Sequence, residues 1–157
     1  ILDRVKKGIT IAQVIKAFKM TKEVGIETHA SYVFGLPGET KKTLEETIKF
    51  AIELNSDYAQ FAVAMPYPGT ELYQEAEKNG WLKTSDWSDF EVSENSVLEY
   101  PNLKAKEIIK ASKAAYRKFY FRPGYMLNKA SKINSITEFF QLMRGAVSLI
   151  TKSFFHN

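Results

Sequence analysis

Apolar and polar positions along this chain follow two periods, and the switches between them place its elements. Ile11, Val14, Ile15 and Phe18 recur at helical spacing behind Thr10-Ile11-Ala12-Gln13, a capping box in which hydroxyl and carboxamide satisfy free backbone donors. Gly25 is placed to close that helix, with a strand beginning at about Ile26. The run Ala30 to Phe34 is short, uncharged, aromatic and β-branched, which predicts a strand buried on both faces of a parallel sheet. A helix follows from about Lys41 to Leu54. Leu44, Ile48, Ala51, Ile52 and Asn55 share its inner face, with Lys41, Lys42, Glu45, Glu46, Lys49 and Glu53 largely opposite. Tyr58 to Met65 is a second uncharged run and predicts a second strand. Thr70 then caps a helix through about Asn79, with Leu72, Tyr73 and Ala76 inward and Gly80 as its stop.

Strand, helix and strand in that order predict a right-handed βαβ unit with parallel strands. Both strands end in turn signals, Gly35-Leu36-Pro37-Gly38 and Pro66-Tyr67-Pro68-Gly69, so the two turns fall at one edge of the sheet. Ligands of α/β folds collect at that edge. Two strands cannot bury three helices, so the sheet is expected to continue in another chain or another part of the protein. Residues 81–101 lose periodicity and read as an ordered loop with a short strand near Val97. From Asn102 a helix resumes with Ile108, Ile109, Ser112, Ala115, Tyr116 and Phe119 inward, until Arg122-Pro123 breaks it. Ser135-Ile136-Thr137-Glu138 is a further capping box, opening a helix with the stripe Ile136, Phe139, Phe140, Met143, Val147, Ile150 and Phe154.

Composition narrows the chemistry. The 157 residues are 45% hydrophobic, enough for one folded, soluble domain. The absence of cysteine excludes a disulfide, a thiolate nucleophile and a Cys-ligated zinc or iron-sulfur centre within this chain. Two histidines, His29 and His156, make no convincing metal site. The sequence starts at Ile1 without a charged-then-apolar leader, and it reads as a piece of a longer protein. Its net charge of +4 is uneven: residues 1–100 carry 11 basic against 16 acidic side chains, and residues 101–157 carry 11 against 2. The basic part suits an acidic partner, nucleic acid or an anionic membrane surface, or equally a solvated face against the acidic part. The last helix is too short to span a bilayer, with an apolar stretch of about twelve residues interrupted by Arg144.

No phosphate loop is present, because Gly38 is followed by Glu39-Thr40 rather than lysine and a hydroxyl. The dinucleotide fingerprint is also missing, and neither a Ser-His-Asp triad nor a carboxylate pair can be assembled from spacing. His29 at a strand start reads as a satisfied structural histidine.

G-L-P-G-E-T after an apolar strand, followed about thirty residues later by P-Y-P-G-T-E-L-Y, resembles the C-terminal half of radical S-adenosylmethionine (SAM) enzymes. The opening I-L-D-R-V-K-K-G-I-T looks like the segment after the fourth strand of their partial, TIM-like (β/α)6 barrel. Y-R-K-F-Y-F-R-P-G-Y resembles the tail that follows the barrel in the cobalamin-dependent subgroup. The resemblance implies an α/β fold in which residues 1–82 form the last two barrel strands with their helices, and 83–157 form a mostly helical extension.

Site residues follow from the same resemblance. The fifth-strand motif G-x-I-x-G-x-x-E is matched by Ser31-x-Val33-x-Gly35, with the acidic residue one position late at Glu39 beyond Gly38. In the family the aliphatic residue packs on the adenine of SAM, and the end of the sixth strand, here Ala64, Met65 and Pro66, contacts the adenine edge. An adenine needs a flat apolar wall and exposed backbone polar groups, which these positions can supply. The C-x-x-x-C-x-x-C loop that holds the 4Fe-4S cluster is missing, so this chain is expected to be inactive alone and to bind no cofactor by itself. The intact enzyme would use SAM and the cluster, with cobalamin left open, for hydrogen abstraction or methyl transfer. The expected partners are the missing N-terminal half, a small and apolar substrate, and further copies of the fragment, with no nucleic acid. The expected location is cytoplasmic, with peripheral membrane contact left open. The competing reading is a non-enzymatic α/β interaction module that uses its basic tail on membrane or nucleic acid.

Overall fold

A computed structural model describes residues 1–84, 86, 88, 90, 96–131, 140, 144 and 145. The described elements are helix α1 (Ile11–Glu23), strand β1 (His29–Phe34), α2 (Lys41–Leu54), β2 (Tyr58–Val63), α3 (Glu71–Lys78), α4 (Ala105–Tyr120) and α5 (Pro123–Ser131). β1 and β2 are parallel neighbours, with His29 opposite Tyr58 and Phe34 opposite Val63, and α2 connects them. The chain is therefore a mixed α/β structure whose described sheet has two strands.

Local chemistry sets the boundaries. Thr10 and Gln13 form the capping box at α1, Thr40 and Thr43 pair reciprocally at α2, and Thr70 accepts the Tyr73 N–H at α3. Asn55, assigned from its spacing to the inner face of α2, instead ends that helix in the left-handed region at φ 50°. Arg122 holds this end from outside, donating to the Ile52 carbonyl at 2.8 Å and to Asn55 Oδ1 at 3.2 Å. Lys22 donates to the Asn55 carbonyl as well. Pro123 opens α5, where its missing N–H costs nothing.

One face of the sheet is covered. Ala30, Tyr32, Phe34, Ala59, Phe61 and Val63 pack with Leu44, Ile48 and Ala51 of α2 and with Ile108, Ala115 and Phe119 of α4 in a single core. The βαβ unit and the later helix thus share one apolar interior. Burial on both faces is not observed: along β1 it alternates strictly, because no described element lies over His29, Ser31 and Val33. His29 accordingly stands exposed on the uncovered face and is not a buried structural histidine.

The two sheet edges differ. Ala64 and Tyr58 donate their N–H groups to the carbonyls of Phe34 and Thr28, which orients the even-numbered main-chain groups of both strands toward each other. The odd-numbered groups point outward. On β2 they meet α4: Ser112 donates to the Phe61 carbonyl at 2.9 Å, and Tyr116 accepts the Phe61 N–H at 3.1 Å. Tyr120 accepts the Ala59 N–H at 2.9 Å and donates to its carbonyl at 2.7 Å, and Tyr125 donates to the Asp57 carbonyl at 2.8 Å. Hydroxyls at helical spacing stand in for a neighbouring strand and close this edge. No described strand flanks β1.

α1 fully buries none of its residues: Phe18 packs half-buried against the core, while Ile11 and Ile15 of the same stripe are 45% and 48% exposed. The loop after α3 returns as an antiparallel bridge between Leu82 and Leu98, followed by a bridge between Tyr100 and Leu103. The capping box at Ser135 and most of the last apolar stripe lie outside the described residues; Phe140 and Arg144 are exposed. No helix among the described residues is long and apolar enough to cross a membrane.

Candidate functional site

The C-terminal ends of β1 and β2 meet in a turn held by side chains from four parts of the chain. Gly35 leaves β1 at φ 85° and Gly38 follows at φ 86°, angles at which a β-carbon is strained. A β-carbon on Gly35 would also lie 3.0 Å from Ile108 of α4, so this position is narrow as well as left-handed. Glu39, buried to 6% exposure, folds back to accept the N–H groups of Gly35 at 2.5 Å and Leu36 at 3.1 Å. Burial raises its carboxyl above the ordinary range, and the two amide donors partly offset this.

Tyr100 completes the clamp. Its buried hydroxyl donates to the Gly35 carbonyl at 2.7 Å, and its ring lies edge-on to Trp81 at 5.0 Å. The peptide joining Gly35 and Leu36 is thus held at its carbonyl by Tyr100 and at its N–H by Glu39. That second bond interrupts the sheet. In a continued parallel ladder the Leu36 N–H would go to the Ala64 carbonyl, and its capture by Glu39 leaves that carbonyl without a hydrogen bond among the described residues. Arg4 also reaches the turn, with Nη1 3.0 Å from where a β-carbon on Gly38 would be, and pairs with Glu75 of α3 at 2.7 Å.

Of the residues singled out in the sequence, Gly35, Gly38, Glu39, Ala64, Met65 and Pro66 gather at this edge. Ser31 and Val33 lie below it on the uncovered face, with Val33 41% exposed. Ser31 sits opposite Gln60 and Val33 opposite Ala62. That face carries His29, Ser31, Val33, Tyr58, Gln60 and Ala62, with no Lys, Arg, Asp or Glu. The parts played here by Tyr100, Ile108 and Arg4 have no local signal in the sequence, because each reaches the turn only through tertiary packing. The stretch Y-R-K-F-Y-F-R-P-G-Y, quoted above only for its resemblance, supplies Tyr116, Tyr120 and Tyr125, whose hydroxyls close the edge of β2.

A cavity of about 750 Å³ lies at the opposite edge, where the strands begin, lined by Lys22, Asn55, Asp57, Arg122, Tyr125 and Lys129 among others. Its cationic groups are already engaged. Lys22 and Arg122 hold the end of α2, and Lys129 stands over the Tyr58 ring at 3.9 Å and 3.7 Å from Glu27. Among the described residues there is no group of three or more metal-ligating side chains.

No protein-family model matches the chain. Among curated proteins it is 39% identical over 127 residues to an uncharacterized methyltransferase of Pyrococcus horikoshii, covering 81% of this chain and 28% of that protein. It is 30% identical over 125 residues to the anaerobic magnesium-protoporphyrin IX monomethyl ester cyclase of Rubrivivax gelatinosus, covering 80% of this chain and 22% of that enzyme. A bacteriochlorophyllide d C-8(2)-methyltransferase of Chlorobaculum tepidum is 20% identical over 127 residues, covering 75% and 28%. The relatives are named as enzymes, and this chain spans about a quarter of their length.

Proposed function

We propose that this chain is the C-terminal part of a radical SAM barrel, supplying one wall of the SAM adenine pocket and part of the substrate side. The observation that carries the reading is the sheet face over which no described element lies at His29, Ser31 and Val33, Lys129 reaching only its rim at Tyr58. The helices present charge to water, as α2 does with Lys41, Lys42, Glu45, Glu46, Lys49 and Glu53, whereas this face has none. A parallel sheet with one such face, a β1 edge that no described strand flanks, and Ile11 and Ile15 exposed on the preceding α1 supports the reading of a barrel segment awaiting its neighbours. Relatives that are methyltransferases and a cyclase fit that class.

The residues present suit an adenine. Val33 offers an exposed apolar wall just below the turn, and the Ala64 carbonyl offers an acceptor in the plane of the sheet end. Bound SAM would supply the methyl or the 5′-deoxyadenosyl group used in the reaction. The contribution of this chain is to seat one end of that molecule and to exclude water. It has no ligand set for a 4Fe-4S cluster, lacking cysteine entirely, so another part of the enzyme would hold that centre. A cobalamin requirement and a small apolar substrate remain parts of the same proposal.

The test is SAM affinity by calorimetry on full-length, anaerobically reconstituted protein. Val33→Asp is expected to weaken binding by several kcal/mol. His29→Ala, five residues before Phe34 and roughly 17 Å down the strand, should leave it intact. Undiminished affinity in a folded Val33→Asp variant would remove this strand from the pocket.

A further inference from the structure

We infer that Tyr100 is a positioning residue for ligand binding at the sheet end, acting through the Gly35–Leu36 peptide to keep the Ala64 carbonyl free for a ligand amino group. The inference rests on the reading of this edge as an adenine site, and it adds a residue from beyond the βαβ unit.

The geometry makes the coupling direct. A peptide beside a glycine turns over easily, because glycine occupies both signs of φ at little cost. Here the peptide plane after Gly35 is fixed at two points, by Tyr100 on its carbonyl at 2.7 Å and by Glu39 on its N–H at 3.1 Å. While it is so fixed, the Leu36 N–H cannot extend the ladder to Ala64. Removal of the Tyr100 hydroxyl leaves a buried carbonyl without its donor, and the peptide gains by rotating toward other partners. By the register of the parallel ladder, the acceptor for the displaced Leu36 N–H is the Ala64 carbonyl, whose occupation would close the site to a ligand donor.

Tyr100 is suited to this task. Its ring is buried against Trp81, and its main chain is fixed by mutual N–H to carbonyl bonds with Leu103 at 2.9 and 3.2 Å. Burial, reinforced by the nearby Glu39 and Glu75 carboxylates, holds the phenol well above its ordinary pKa, so the proton remains available for donation across the working range. The Gly35 carbonyl is its hydrogen-bond partner, so the hydroxyl is not itself a ligand contact.

The experiment compares 5′-deoxyadenosine with 5′-deoxyinosine, in which a carbonyl replaces the 6-amino donor, by calorimetry on the full-length protein. Wild type should prefer 5′-deoxyadenosine by about tenfold. Tyr100→Phe, which removes a single oxygen, should reduce this preference to about twofold or less by weakening 5′-deoxyadenosine selectively. A merely structural role would weaken both nucleosides alike. A preference unchanged in a folded Tyr100→Phe variant overturns the inference while leaving the adenine site in place. Failure of wild type to bind either nucleoside overturns the site reading and the inference with it. If Tyr100→Phe does not fold, 3-fluorotyrosine at position 100 keeps the shape and strengthens the donor. A raised preference then supports the coupling, and an unchanged or lowered one overturns it.

Discussion

Tyr120 meets Ala59 twice: its hydroxyl accepts the Ala59 N–H at 2.9 Å and donates to the Ala59 carbonyl at 2.7 Å. One side chain of α4 therefore satisfies both outward main-chain groups of a residue on β2, as a strand partner would. Tyr120→Phe is expected to destabilise the fold by about 1–3 kcal/mol, because two buried groups lose their partner together. Denaturant titration measures the loss, and hydrogen exchange should speed selectively at the Ala59 amide. Unchanged protection of that amide would mean that the hydroxyl does not close the edge.

Glu39 gives a pH dependence whose sign is unusual for a carboxylate. Its folded-state pKa is raised, chiefly by burial, so the folded state binds its proton more tightly than the unfolded chain does. The stability linked to this group is fully present below the unfolded value and is lost as pH rises through the folded one. Glu39→Gln keeps an oxygen acceptor for Gly35 and Leu36 without the charge. The stability of the Gln variant relative to wild type should therefore improve as pH rises from the ordinary glutamate range toward neutrality. A relative stability that is flat or moves the other way would show that the amide donors outweigh burial.

Gly35 and Gly80 separate conformational strain from crowding. Both have positive φ, but a β-carbon on Gly35 would lie 3.0 Å from Ile108, whereas one on Gly80 would meet open space. Alanine at Gly80 should cost about 1 kcal/mol from the left-handed backbone, and alanine at Gly35 about 2 kcal/mol or more. Thermal unfolding of the two variants gives the comparison. Equal losses would show that Ile108 yields without cost.

The uncovered surfaces should make the isolated chain associate with itself. Among the described residues no strand flanks β1, the outer positions of both strands carry no Lys, Arg, Asp or Glu, and Ile11 and Ile15 of α1 are exposed, surfaces of the kind that recruit partners. Sedimentation is expected to show concentration-dependent oligomers, reduced by Ile15→Glu on the α1 stripe. A monodisperse monomer at high concentration would count against it.

Much of this organisation was written in local sequence. Periodicity and caps located α1, α2, α3 and both strands to within a few residues, because helix termini depend on groups three or four positions apart. The parallel pairing of β1 and β2 followed from a connection that contains a helix. The turn at Gly35 to Gly38 was legible because left-handed backbone calls for glycine, whereas Glu39 was named only through the resemblance of this stretch to a family motif. Packing decided the rest. Whether a strand is covered on one face or two depends on which other elements are present, and an uncharged run such as Ala30 to Phe34 looks the same in either case. Tyr100 lies 65 residues from Gly35, and no local pattern links them. Tyr116 was legible as part of the inward face of α4 and Tyr120 was not, and both hydroxyls acquired a role only when tertiary packing laid that helix along β2, where outward backbone groups needed partners.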